Sequence, residues 1–179
     1  MGPEIQKKVL ILAVVHIFCI FVESICLTMD EKVNQQAQDE KFMRMAIEEA
    51  NKALKEKEVP IGAVVVCGQR VIGRGHNLVE TLCDATAHAE MQSITAAAST
   101  LGGKYLKNCT LYVTVEPCVM CAGALAWSQI DRVVYGADDP KRGYSTVGGA
   151  IFHPKTKVER GVLAEECEAL MKNFFKTLR

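Results

Sequence analysis

The sequence predicts an α/β domain, on three observations. Stretches with helix-like apolar spacing alternate along the chain with strand-like runs, the order expected of a sheet packed between helices. Turn and breaker signals such as Pro60, Gly68-Gln69 and Gly102-Gly103 separate those stretches. At 179 residues the chain is long enough for one domain with a real hydrophobic core.

The elements follow in order. From about Asp39, Phe42, Met45, Ala46, Ala50, Ala53 and Leu54 recur at spacings of three and four, with Glu48, Glu49, Lys52 and Lys55 turned away. Pro60 closes that helix. Ala63 to Cys67 reads as a buried strand, Gly68-Gln69 as a tight turn and Val71 to Gly75 as the returning strand of a hairpin. Residues 78–87 read as a loop into His88. A helix follows, with Met91, Ile94, Ala97 and Ala98 inward, and Gly102-Gly103 breaks it. Thr110 to Val115 alternates as a strand does. Pro117 suits the start of a helix running to about Ser128, and Arg132 to Gly136 is a short strand. Gly136 to Pro154 is Gly-rich and charged and reads as irregular. The last helix, from about Leu163, lines up Cys167, Leu170, Met171, Phe174 and Leu178 on one face and Lys172, Lys176 and Arg179 on the other.

Residues 1–28 differ from the rest and are expected to be an extension apart from a domain at 29–179. Lys7-Lys8 precede a 14-residue apolar run, Val9 to Val22, broken only by His16. A membrane-spanning helix needs about 20 residues. The outline is that of a signal peptide, but no small-x-small cleavage site follows. A start at Met29 explains the composition best.

Charge is balanced, with 21 Lys plus Arg against 21 Asp plus Glu. A broad basic surface holding nucleic acid by its field alone is therefore excluded, and any RNA contact must be local. The eight cysteines are scattered, unlike the disulfide framework of a small secreted domain.

Two segments carry the chemistry. His88-Ala89-Glu90 is H-x-E, and Pro117-Cys118-Val119-Met120-Cys121 is P-C-x-x-C. Singly, the cysteines could be a redox pair or buried neighbours one helical turn apart, and the histidine a cap. Together they supply one imidazole and two thiolates, the number a catalytic zinc takes while keeping a position open for water. Each segment falls at a strand-to-helix junction, where free N–H groups favour thiolates. Two thiolates and a neutral imidazole cancel the charge of Zn²⁺. Glu90 stands two residues from His88, in place for proton transfer.

With those residues in view, the chain from about residue 39 resembles the bacterial tRNA-specific adenosine deaminases. The resemblance rests on Glu58 to Ala63, Gly75-His76-Asn77, Thr86 to Glu90, Thr110 to Ala124, Gly136 to Lys141 and Phe174-Phe175-Lys176. H-x-E with P-C-x-x-C belongs to all zinc nucleobase deaminases, so the flanking blocks choose among them. The chain departs from the family at Ala85, where Pro is usual, and at Tyr144 to Gly149.

The resemblance implies a three-layer α/β/α sandwich, cytidine deaminase-like, with a mixed sheet of about five strands. It implies one Zn²⁺ per subunit on His88, Cys118 and Cys121, with Glu90 as the proton shuttle. Asn77 would contact the flipped adenine and Ala89 would offer its backbone. Asp139 and the basic last helix would lie near the anticodon stem-loop of a tRNA, with Lys141, Arg142, Lys172, Lys176 and Arg179 as phosphate contacts. The expected activity is hydrolysis of adenosine to inosine at wobble position 34, by a cytoplasmic homodimer with no stable membrane partner. Two alternatives stand beside it: a free-base deaminase acting on guanine or cytosine, and a non-catalytic zinc-bound RNA-binding subunit.

Overall fold

A computed structural model describes residues 31–148 and 150–178. The chain divides into two compact units, Met1–Gln38 and Asp39–Arg179. Residues 31–38 of the first are helical. The expectations for residues 1–28 and for Arg179 lie outside the described residues.

The second unit opens with helix α1 (residues 39–55). The hairpin β1 (Gly62–Cys67) and β2 (Arg70–His76) follows, then a short helix α2 (Val79–Leu82) and α3 (Ala89–Leu101). Strand β3 (Cys109–Val115), helix α4 (Val119–Trp127) and strand β4 (Arg132–Ala137) come next. The unit ends with β5 (Lys157–Arg160) and helix α5 (Ala164–Thr177). The five strands form one sheet in the order β2-β1-β3-β4-β5. Its first three are antiparallel and its last two pairings are parallel.

Alternation along the strands makes three layers, as the resemblance implied. Ala63, Val65, Leu111, Val113, Val133 and Tyr135 point to one face, where they pack with Ala89 and Ala97 of α3 and Leu125 of α4. Their neighbours Val64, Val66, Tyr112 and Val134 point to the other, against Phe42, Met43 and Ala46 of α1 and Cys167 of α5. Successive strand side chains face opposite ways, so each strand with apolar residues at every position is buried on both sides.

Two glycines let α3 lie close on β2. A Cβ on Gly75 would come within 2.5 Å of the Ala89 carbonyl oxygen, and one on Gly73 within 2.3 Å of the Ser93 oxygen. That contact places the start of α3, with His88 and Glu90, beside the end of β2, with Asn77.

The structure departs from the sequence reading in several places. Glu49 is not turned to solvent: it is 2% exposed, holding Lys52 Nζ at 2.9 Å, Arg74 Nη1 at 3.3 Å and His76 Nδ1 at 3.5 Å. Three nitrogens around one carboxylate offset the loss of its hydration. Leu54 and Leu178 are exposed instead of inward, because each falls at the end of its helix. The segment 78–87 contains the single turn α2, and β5 was not anticipated: all four of its residues are exposed, so no burial period marks it. Backbone pairing with β4 makes it a strand. Among the described residues no helix is long and apolar enough to cross a membrane.

Candidate active site

His88 and Cys118 are the residues immediately before α3 and α4, both with extended backbone, and Cys121 lies in the first turn of α4. β2, β3 and the packing of α3 on β2 converge these two helix starts. His88 Nδ1 stands 3.6 Å from Cys118 Sγ and 3.5 Å from Cys121 Sγ. The three donor atoms lie within 4.8 Å of one another, and they could hold a metal ion. No fourth His, Cys, Asp or Glu joins them among the described residues.

The thiols differ in acidity. Cys118 is pulled down to about 4, chiefly by a hydrogen bond from Cys121 and further by His88. Cys121 is pushed far up by that same shared proton and by burial. His88 is raised, first by its hydrogen bond to Cys118 and then by the charges of Glu90 and Cys118, against the opposing effect of burial. The start of α4 therefore supports one thiolate readily and the second only with a cation, which deprotonates a coordinating thiol outright. Glu90 is 3% exposed, and burial lifts its carboxyl to about 7, with the neighbouring Cys118 adding to the effect. A carboxyl poised near neutrality can both take and give a proton at working pH.

His88, Glu90 and Cys118 form part of the wall of a groove of about 980 Å³. Asn77, Glu58, Ile61 and Val79 line it as well, as do Asp139, Lys141 and Arg142. Met171, Lys172, Phe175 and Leu178 of the last helix complete it. Lys172 also pairs with Glu168 on its own helix. Lys176 is exposed and does not line the groove, and neither does Ala89, which is fully buried at the start of α3. Asp139 Oδ1 accepts the N–H groups of Lys141 and Arg142, at 3.0 and 3.1 Å, so it shapes the loop that carries those cations.

Two buried carboxylates that the sequence reading did not single out organise the groove. Glu58, 1% exposed, accepts Asn77 Nδ2 at 2.9 Å and Thr81 N–H at 2.7 Å. Burial opposes its charge, but Thr81, the Glu80 N–H and Asn77 together outweigh it and hold the carboxyl below its ordinary value. Glu116, 5% exposed, accepts the N–H groups of Asp139 and Ser145, both at 3.0 Å. Gly143 leaves room for it, since a Cβ there would come within 2.3 Å of the Glu116 carboxyl. Glu116 thus ties the cationic loop to the segment bearing Cys118. Both fall inside sequence blocks that carry the family resemblance, but nothing in the spacing of either block assigns the carboxylate a partner.

The comparisons with known proteins agree with this geometry. The MafB19-like deaminase family pattern matches residues 37–179. The tRNA-specific adenosine deaminase of Bacillus subtilis (strain 168) is 48% identical over 147 residues, covering 79% of this chain and 91% of that protein. The chain belongs to the tRNA-specific adenosine deaminase family. Among solved structures, one from work on A-to-I editing by tRNA:A34 deaminases at the wobble position of transfer RNA superposes with a TM-score of 0.69 at 41% identity. It covers 73% of this chain and 98% of that one. A guanine deaminase from Bacillus subtilis is 39% identical with a TM-score of 0.54, over 55% of this chain and 64% of its own. Membership makes the protein a hydrolytic deaminase, and the family's five-stranded mixed sheet is the one described above.

Proposed function

We propose that the protein deaminates adenosine to inosine at wobble position 34 of a tRNA, using one zinc ion per chain. The observation that carries this reading is the donor cluster His88, Cys118 and Cys121, of which His88 and Cys118 line an open groove bordered by Lys141, Arg142 and Lys172. An imidazole nitrogen and two sulfurs suit zinc, and three protein ligands are the set of a catalytic site. When bound, zinc supplies a nucleophile at neutral pH by lowering the pKa of water from 15.7 towards about 7.

The chain's own residues do the rest. Glu90 takes a proton from the water whose oxygen becomes bonded to C6, and passes protons to N1 of the base and to the amine, whose bond to C6 breaks as it leaves as ammonia. Its carboxyl near 7 suits both halves of that task. Asn77 contacts the base, and the N–H of Ala89 stands at the first turn of α3, where helix N–H groups are free to donate. Lys141, Arg142 and Lys172 meet phosphates of the anticodon loop. A stacked base hides C6, so the nucleotide must swing out, and contacts to its neighbours offset that cost.

The enzyme works as a cytoplasmic homodimer. Support for a second copy comes from α4, which exposes Val119, Met120 and, at 86%, Trp127. Three large apolar side chains on one short helix make a patch suited to burial against a partner.

The test is inosine formation on an anticodon stem-loop with A at the wobble position, run beside free adenosine, guanine and cytosine. Fast conversion of the stem-loop and little of the free compounds is expected. Rapid turnover of a free base with an inert stem-loop would replace this reading with a free-base deaminase. Zinc without turnover of any of them would leave a non-catalytic binding subunit.

A further inference from the structure

An asparagine side chain can present either its oxygen or its NH₂ to a ligand, and the group behind it decides which. Asn77 follows β2 and lines the groove. Behind it sits Glu58, whose two oxygens have separate partners: Oε2 faces Asn77 Nδ2 at 2.9 Å and Oε1 accepts Thr81 N–H at 2.7 Å. The carboxyl is buried, and an ionised carboxylate only accepts. One N–H of the Asn77 amide is therefore held by Glu58, and Oδ1, to which the carboxylate offers no donor, is left for the groove.

We infer that Glu58 is a positioning residue: it fixes the amide of Asn77 in one of its two orientations, with Oδ1 presented to the bound nucleotide. The inference deepens the adenosine deaminase reading and rests on it for the identity of that nucleotide. Among the described residues, the only side-chain hydrogen bond on that amide is the one to Glu58. Its anchor is doubly secured, because the Thr81 N–H belongs to the backbone of α2 and cannot rotate away. The charge on Glu58 is favoured by the same hydrogen bonds, so the acceptor-only state is the one present at neutral pH.

The consequence is specific to Glu58→Gln. The new side chain has the same shape, and its oxygen must stay on the Thr81 N–H, which leaves its NH₂ facing Asn77. Asn77 then has to reverse, turning its own NH₂ to the groove. The bonds to Thr81 N–H and to the Asn77 side chain are both kept, so folding is preserved while the polarity offered to the ligand is inverted.

The experiment compares wild type, Glu58→Gln, Asn77→Ala and the double variant, each measured for zinc content, melting temperature and kcat/KM on the wobble-adenosine stem-loop. Glu58→Gln should keep its zinc and melt within a few degrees of wild type, yet lose about 10- to 100-fold in kcat/KM, the effect of leaving a polar group of the bound nucleotide facing an amide of the wrong polarity. In the Asn77→Ala background the same change should cost less than about threefold, because a residue acting through Asn77 has nothing left to position. Equal losses in both backgrounds, or near-normal activity of Glu58→Gln, would overturn the inference. A readout independent of substrate accompanies it: the side-chain ¹⁵N–¹H signals of Asn77, identified by their absence in Asn77→Asp. One of them should be shifted strongly downfield in wild type by the carboxylate, and that shift should vanish in Glu58→Gln. If wild type fails to deaminate the stem-loop while the amide signals behave as stated, the substrate reading falls and the positioning role stands. Unchanged amide signals sink the positioning role whatever the substrate.

Discussion

Removing the loop cations offers the sharpest quantitative test of how the groove holds RNA. Among the described residues, Lys141, Arg142 and Lys172 are the Lys and Arg side chains that line it, and Lys176 is not one of them. Each phosphate neutralised on a single strand contributes about −0.7 to the slope of log affinity against log salt. Three contacts predict a slope of about −2, so raising salt from 50 to 200 mM should weaken binding of an anticodon stem-loop about 18-fold. Replacing both Lys141 and Arg142 by Gln leaves one contact, a slope of about −0.7, and only about a threefold loss over the same range. The loop should survive this double change, because Asp139 and Glu116 hold it through backbone N–H groups and not through those side chains. Lys176→Gln should leave the slope within error of wild type. Fluorescence anisotropy with a labelled stem-loop across four salt concentrations measures all three. A slope unchanged in the double variant, or lowered as much by Lys176→Gln, would refute the assignment of phosphate contacts to this side of the groove.

Other expectations follow from the same structure. Purified protein should carry one zinc per chain, and Cys118→Ala with Cys121→Ala should abolish it; undiminished metal by elemental analysis would exclude this ligand set. Glu90→Gln should keep its zinc but lose about 10²–10⁴-fold in turnover, roughly 3–5 kcal/mol of barrier, as for other lost general acids and bases; a near-normal rate would remove Glu90 as the shuttle. Asp39 is buried and doubly bonded to Arg132, at 2.7 and 2.6 Å, with Tyr112 donating at 2.8 Å. Asp39→Ala strands a largely buried guanidinium and should cost about 3–5 kcal/mol in urea unfolding at constant m, whereas a loss under about 1 kcal/mol would mean Glu159 alone satisfies Arg132. A chain begun at Met29 should fold, bind zinc and turn over like the full-length protein; insolubility or inactivity would give residues 1–28 a role.

Much of this protein is legible without coordinates because the informative spacings are short. Glu90 lies two residues after His88 at the end of a loop that leads into a helix, and Cys121 lies one helical turn after Cys118, where a strand pattern gives way to a helix pattern. Helix and strand periods likewise mark α1, α3, α4, α5 and the first four strands, since their burial repeats every few residues. What stayed hidden depends on neighbours distant in sequence. Glu49 has the local pattern of an outward residue, yet α1 meets the Arg74 and His76 end of β2 there, and nitrogens from another element draw it inside. The exposed residues of β5 carry no burial period, so pairing with β4 alone defines the strand. Glu58 reaches Asn77 across 19 positions, and Glu116 reaches Asp139 and Ser145 across 23 and 29. The same holds for the cations: Lys172 and Lys176 share one helix and one charge, but only the fold decides that Lys172 borders the groove. A residue's type and local period report which chemistry it can offer and its average surroundings. Which partner it meets is set by long-range packing, and that packing exists only once the sheet and its two helical layers have closed.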